Sequence, residues 1–502
     1  MIATGLSYIL PRRWQPHAGQ TIGVKFLLEH ACAGLLADPG VGKTSIVYGA
    51  FKVLRKRRMA QRMLVIAPLR PAYNVWPGEI EKWQDFNDLR VVVLHGPQKE
   101  ELWQEDADVY VINYEGLNWL LNADVSRSGG GRASVAVNLD RLKAMKIDIL
   151  VIDELSKMAD SQGVRFKMLK QAIPFFGRRW GLTGSPAANG LMKLFGECLI
   201  LDLGRTFGPY ITKFRNEYFL PSFNGFGWNL KAGAEDRIYE RAAPLMCRLA
   251  AEDYIDMPEV LEIDIPIDLP RKVWTVYKDV EEWGFAKIGE RKITAANSGA
   301  LFTKLSQIAN GGIYREAEIA DLLDAQAGVA ARRRGERDWT FLHDEKTDAL
   351  EELVESLQDE PLLVAYDYHH DLERLLKRFG KDTPYIGSGV SPTRGKEIER
   401  LWNAGRIPLL LGHPQSIGHG LNMQERGYHV AFHSLTWDYE LYDQFIRRVR
   451  RQGNHRQTVF VHRIVARGTI DEVKIDALSR KEGCQSRFLD AMNSYRKSRG
   501  RK

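Results

Sequence analysis

Cysteine is scarce in this 502-residue chain: four residues, Cys32, Cys198, Cys247 and Cys484, with no paired spacing. That excludes a disulfide framework or a cysteine-rich zinc module and makes a reducing, cytoplasmic setting the expectation. Long apolar runs are missing too. No stretch of about 18 or more apolar residues occurs, so no transmembrane helix and no membrane partner is expected. The opening "MIATGLSYILPRRWQPH" places its basic residues after its short apolar stretch, the reverse of a secretory signal. Repeats and low-complexity tracts are absent, which sets aside repeat architectures. Excess charge is slight: 71 Lys and Arg against 64 Asp and Glu leave a net +7, compatible with a polyanion partner and with enzymes of neutral ligands.

What is present is an ordinary globular composition, 44% hydrophobic and 27% charged, in a chain long enough for several domains. Basic residues concentrate in "FKVLRKRRMAQR", with five between Lys52 and Arg58, and in the last seven residues, "RKSRGRK", with five more. Each run reads either as a solvated face or frayed tail, or as a contact for a polyanion.

Short apolar runs followed by polar or glycine-containing turns recur: "RMLVIAPLR", "RVVVLHGP", "DVYVINYEG", "IDILVIDEL", "RWGLTGSP", "EPLLVAYDYH", "IPLLLGHP", "YHVAFHS" and "TVFVHRIV". Runs rich in Val, Ile and Leu suit strands buried on both faces of a parallel sheet. Between them, 346–359 and 370–380 carry apolar residues at helical spacing. Strand–helix alternation implies right-handed crossovers. The strands fall into two groups, so the predicted fold is α/β, with two lobes and an irregular, mostly helical insertion between them. The expected divisions are 1–204, 205–340, 341–480 and a basic C-terminal tail, 481–502.

The chemistry starts at "ADPGVGKT". Gly40 and Gly42 free backbone N–H groups to converge on phosphate oxygens, Lys43 reaches the β/γ phosphates, and the Thr44 hydroxyl is suited to Mg²⁺. A helix opening near Lys43 adds its positive end. Ala37 stands where the usual pattern has its first glycine. In "DILVIDELSKM" a strand delivers two adjacent carboxylates, Asp153 to hold Mg²⁺ and Glu154 to polarise an attacking water. In "WGLTGSPAANG", Thr183 and Ser185 are placed to relay between the nucleotide and a second partner; the plainer reading is a strand–turn–helix with an Asn189 cap. In "YELYDQFIRRVRRQGN", read as a helix from about Tyr439, Arg448 and Arg451 fall three apart and share a face. Such guanidiniums suit the charge that spreads over a γ-phosphate, or any other polyanion. "SIGHGLNMQ" (416–424) is a glycine-rich turn suited to close backbone approach.

Together these motifs resemble, in order and over nearly the whole chain, the Swi/Snf-type branch of superfamily-2 helicase-like ATPases, which are double-stranded DNA translocases. "QTIGVKFLLE" is similar to the family's adenine-reading segment. "GKT" (42–44), "VIAPLRPAYNVWPGEIEKW" (65–83), "VINYEGL", "VIDEL" and "LTGSPAAN" resemble its motifs I, Ia, Ic, II and III. "LLVAYDYHHDLERL", "SIGHGLNMQ" and "SLTWDYELYDQFIRRVRRQGN" resemble motifs IV, V, and Va with VI. Motif II departs from the pattern, with Ser156 where the branch usually has His.

The resemblance implies two RecA-like lobes in tandem, ATP and Mg²⁺ as cofactors, and a DNA-stimulated ATP hydrolase. It implies Gln20 as adenine reader and Arg451 as the finger on the γ-phosphate, supported by Arg448. Gly420 is a nucleotide-site position, and Arg70, Tyr114, Thr183, Asn422 and Trp437 are candidate DNA contacts. The expected partner is double-stranded DNA held without sequence specificity, chiefly through phosphates. Replication or recombination proteins are candidate partners for a chain expected to be monomeric, acting in replication, recombination or repair. A strand-separating helicase and a nucleotide-gated DNA-binding module with little turnover remain the alternatives.

Overall fold

The computed structural model describes residues 12–127, 133–187, 190–221, 228–254, 257–283, 285–288, 291–294, 298–314, 339–417, 421–451 and 454–499. The chain divides into two compact units, residues 1–256 with 481–502, and residues 257–480. Among the described residues, no helix is long and apolar enough to cross a membrane.

The first unit is built on a seven-stranded sheet in which every pairing is parallel. Its strands are β1 (Cys32–Ala37), β2 (Met63–Ala67), β3 (Val91–Leu94), β4 (Val109–Asn113), β5 (Ile149–Asp153), β6 (Arg178–Thr183) and β7 (Met246–Leu249). They lie in the order β7-β1-β6-β5-β2-β4-β3. The central runs read as unbroken apolar sequence because crossover helices cover both faces; β2 and β4 are buried at every position. The helices that matter for the site are α1 (Ala18–Glu29), α2 (Lys43–Lys56) and α3 (Leu69–Lys82). Tyr48 on α2 packs edge-on against the buried Trp76 of α3, and its hydroxyl donates to the Trp76 carbonyl at 2.8 Å.

The second unit carries a six-stranded, all-parallel sheet. Its strands are β8 (Glu259–Ile267), β9 (Leu362–Ala365), β10 (Tyr385–Ile386), β11 (Leu409–Gly412), β12 (His429–Phe432) and β13 (Thr458–Ala466), in the order β8-β13-β12-β9-β11-β10. Its helices include α4 (Arg271–Trp283), α5 (Ser298–Asn310), α6 (Glu345–Ser356), α7 (His369–Phe379) and α8 (Tyr439–Ile446). The two predicted helices at 346–359 and 370–380 are α6 and α7.

The α/β class is as predicted, but the divisions need correction. Residues 205–340 are not a separate insertion. Their first part supplies helices Ile211–Tyr218 and Ala234–Ala242 and then β7, the edge strand beside β1. Their second part supplies β8, which pairs with β13 over nine residues, and then α4 and α5. Val273, Tyr277 and Val280 of α4 bury against Leu305, Ile308 and Ala309 of α5 and against Ala466 and Ile470. The units therefore part between 256 and 257. The expected boundary at 481 falls inside a helix: α9 (Ile470–Arg499) runs through it unbroken.

At the C-terminal ends of β9 and β12 the second unit buries a charged network. The Lys346 ammonium meets the Asp471 carboxylate at 2.6 Å and donates to Asn310 Oδ1 at 2.8 Å. The Ser434 hydroxyl donates to Asp371 at 2.6 Å. His343, His433 and His462 are buried alongside or within the sheet, and burial pushes their imidazoles down from 6.5 to about 4, about 3 and about 4. Folded values lie below unfolded ones, so the unfolded chain binds more protons in that window. Stability is then complete above the usual histidine value and lost as pH falls through it toward about 4. Lowering the pH from about 7.5 to about 5 is expected to cost this unit about 1–2 kcal/mol for each of these histidines. Denaturant unfolding at the two pH values measures it; an unchanged midpoint would show that the histidines charge without penalty.

Candidate active site

Three adjacent strands bring the first unit's motifs to one sheet edge. β6 lies between β1 and β5, with Leu36 opposite Thr183 and Asp153 opposite Leu182. The glycine-rich loop, Thr183 and the two carboxylates thus emerge side by side. Ligands of open α/β sheets gather at this end of the strands.

The loop from β1 to α2 turns through Gly40 (φ +94°) and Gly42 (φ +84°), a backbone region that favours glycine. A side chain at Gly42 would also collide with the Gln20 amide. Lys43 Nζ donates to the Ala37 carbonyl at 3.0 Å, so the alanine at the first pattern position holds the lysine across the loop through its backbone. Thr44 is buried at the first turn of α2. Asp38 anchors the loop's start: its carboxylate takes both Arg248 nitrogens, at 2.9 and 2.7 Å, and the Ala251 N–H at 3.0 Å. This buried pair, absent from the sequence-level expectations, ties the loop to β7.

Asp153 ends β5, and Glu154 follows with φ +70°, a costly conformation for a residue with a side chain. Trp76 Nε1 donates to Asp153 Oδ2 at 3.0 Å. Burial pushes the Asp153 carboxyl up from 3.8 to about 6, opposed by Lys43 and reinforced by Glu154. Glu154 Oε1 accepts from the Thr183 hydroxyl at 3.3 Å and from Ser156 at 3.5 Å. The Thr183 oxygen in turn accepts from the Ser185 N–H at 3.1 Å, which leaves its proton directed at Glu154. Ser156, in place of the family's usual histidine, therefore still reaches the second carboxylate.

Two expected DNA contacts are corrected here. Thr183 has no solvent exposure and serves Glu154. Tyr114 is 4% exposed, and its hydroxyl lies 2.7 and 3.0 Å from the carbonyls of Asp153 and Glu154. It braces the strained turn and does not face a nucleic acid. Arg70 sits in the first turn of α3 and is partly exposed. In the second unit, Trp437 is half-buried beside Phe302, ring centroids 5.7 Å apart, and Phe302 itself is 44% exposed. The basic run on α2 lies at the far end of the helix from the loop. Lys52 and Arg55 are paired with Asp88 and Asp108, while Lys56, Arg57 and Arg58 are exposed.

The arginine segment also differs from its prediction. α8 stops at Ile446, so Arg448 and Arg451 lie in the turns beyond it and do not share a helix face. Arg448 is 7% exposed; it donates to the carbonyls of Gln444 at 3.0 Å and Leu421 at 3.1 Å. Arg451 is half-buried and donates to Asn422 Oδ1. The Asn422 N–H donates to Glu399 at 2.7 Å, and Asn403 Nδ2 donates to the Asn422 carbonyl at 2.7 Å. Asn422, expected at the DNA, thus holds the arginine. Gly420 and Asn189 lie outside the described residues.

Comparison with known proteins bears on the family that the motifs resemble. The model of the SNF2-related domain matches residues 19–318. Protein p41 of Acyrthosiphon pisum secondary endosymbiont phage 1 is 32% identical over 496 residues, covering 96% of this chain and 99% of its own. The mouse DNA annealing helicase and endonuclease ZRANB3 is 23% identical over 479 residues, 92% of this chain; the chain spans 40% of that protein's length. Among solved structures, the Sulfolobus solfataricus SWI2/SNF2 ATPase core in complex with dsDNA aligns over 96% of this chain and 94% of its own, at 19% identity and a TM-score of 0.42. With the domain model covering more than half of the sequence, and a relative above 30% identity matched along its whole length, the chain belongs to the SNF2-related family.

Proposed function

We propose that the protein is a DNA-stimulated ATPase that translocates on double-stranded DNA without separating its strands. The observation that carries this is the first unit's sheet edge, where Lys43, Asp153 and Glu154 converge and Glu154 is oriented by Thr183 and Ser156. Glu154 orients and polarises the attacking water; Lys43 and the loop N–H groups cradle the phosphates. Gln20 reads the adenine. Arg451 neutralises charge on the γ-phosphate, and Arg448 fixes the segment that presents it. Phosphate contacts at Arg70, Trp437 and neighbouring residues hold the duplex. Replication, recombination or repair is the setting we infer.

The residues fit Mg²⁺. Thr44 and Asp153 offer hard oxygen donors, and the raised Asp153 carboxyl is one that a cation would hold ionised. Two protein oxygen donors suit an ion whose other ligands are phosphates and water. When bound, Mg²⁺ offsets charge developing on the phosphates.

ATPase rates with no nucleic acid, single-stranded DNA, duplex DNA and duplex RNA test the reading, beside Lys43→Ala. Duplex DNA is expected to stimulate most, and Lys43→Ala to abolish turnover in every condition. Equal wild-type rates in all four conditions would remove the motor reading. Displacement of a triplex-forming strand without unwinding supports translocation; unwinding of a fork would favour a helicase instead.

A further inference from the structure

The N-terminus of α1 forms a clasp on the phosphate loop. His17 is the cap residue, and its N–H donates to Gln20 Oε1 at 3.2 Å. Gln20 Nε2 donates to the Val41 carbonyl inside the loop at 3.2 Å. These two partners have opposite polarity, so they fix which end of the amide is oxygen and which is nitrogen. The imidazole adds two more ties. Its Nδ1 accepts from the Gln20 N–H at 3.4 Å, which makes Nε2 the protonated nitrogen, and Nε2 lies 3.3 Å from the same Val41 carbonyl. Tyr254, five residues past β7, stacks on the imidazole with centroids 5.7 Å apart. Its ring also closes the space over Gly19, where an added Cβ would stand 2.7 Å away.

We propose that His17 is a positioning residue that sets the orientation of the Gln20 amide and thereby the site's preference for adenine over guanine. A primary amide has two donor and two acceptor positions. The clasp uses one of each and leaves one donor and one acceptor. Adenine presents an acceptor (N7) beside a donor (the N6 amino group), whereas guanine presents two acceptors, N7 and O6. A locked amide satisfies the first pair and opposes the second; an amide free to turn accommodates guanine at lower cost. The inference rests on the reading of Gln20 as the base contact.

Three substitutions grade the clasp. His17→Asn keeps the N–H and a side-chain cap. His17→Ala keeps only the N–H. His17→Pro removes both, and His17 has φ −70°, an angle proline adopts. Affinities for fluorescent ATP and GTP analogues, measured without DNA and without turnover, give the ratio directly. The ATP-over-GTP preference is expected to fall in the order Asn, Ala, Pro. The total loss in His17→Pro should be about tenfold, the worth of one or two hydrogen bonds. Gln20→Ala should abolish the preference and make further change at His17 silent. Thermal unfolding checks that each variant is folded, and His17→Asn keeps the test open if His17→Pro is not. An unchanged ratio in folded His17→Ala and His17→Pro overturns the proposal while nucleotide binding, and the parent reading, stand. A wild type that binds neither nucleotide overturns both.

Discussion

Glu154→Gln should lower the turnover number for ATP by about 10²–10⁴-fold, the usual worth of a positioned general base, and leave nucleotide affinity nearly unchanged. The substitution preserves shape and removes the charge to which the proposed mechanism gives the polarising of water. Lys43, Thr44 and Gln20, which hold the nucleotide in the proposed site, are untouched. The backbone at this side chain is strained, with φ +70° at Glu154, and the flanking carbonyls are braced by Tyr114. Thr183→Val should cost less, roughly three- to tenfold, since it removes an orienting hydrogen bond and spares the base itself. Ser156→Ala should cost less still, because its contact is longer, 3.5 Å against 3.3 Å. Single-turnover hydrolysis with a parallel nucleotide-binding assay separates these effects. Equal losses in Glu154→Gln and Ser156→Ala would overturn this ranking and mean that the carboxylate works only when the serine holds it.

How far the sequence was legible follows from what burial does to a pattern. β2, β4, β5 and β12 announce themselves because both faces of a parallel sheet are covered, leaving no polar alternation. β7 and β8 do not. β7 is the four-residue "MCRL", whose arginine is buried only because Asp38 pairs with it. β8 reads "EVLEIDIPI", an edge strand exposed at its first four residues and buried at none. The phosphate loop and Asp153-Glu154 were readable because their chemistry is local. Depth was not: Tyr114 and Thr183 are polar residues beside motifs, and nothing local says that their hydroxyls point into the protein. His17 was hidden for the opposite reason, since its partner Val41 lies 24 residues away. The arginine helix failed at its end. Helical spacing continues through Arg451 in the sequence, but the backbone leaves the helix at Ile446, where Arg450 Nε is drawn to the Pro258 carbonyl at 2.8 Å.

That early helix end places the two arginines in different surroundings, and their alanine variants should differ in kind. Arg451→Ala is expected to lower turnover by about 10³-fold or more, the scale of an arginine finger, while nucleotide binding and unfolding midpoint stay close to wild type. Its guanidinium is half-buried and held by the Asn422 side chain, whose backbone is fixed by Glu399 and Asn403. Such a group is oriented yet still presentable to a ligand. Arg451→Lys should recover little, because an ammonium keeps the charge but not the planar fork. Asn422→Ala should fall between wild type and Arg451→Ala, since it frees the arginine without removing it. Arg448→Ala should behave otherwise. Its guanidinium is spent on the carbonyls of Gln444 and Leu421, and truncation leaves those acceptors buried without it, destabilising the unit by about 1–3 kcal/mol. Any loss of turnover in Arg448→Ala would then track misplacement of the 421–423 segment and follow the unfolding midpoint. If Arg448→Ala proves stable but inactive, and Arg451→Ala active, the assignment is reversed and Arg448 is the residue that meets the phosphate.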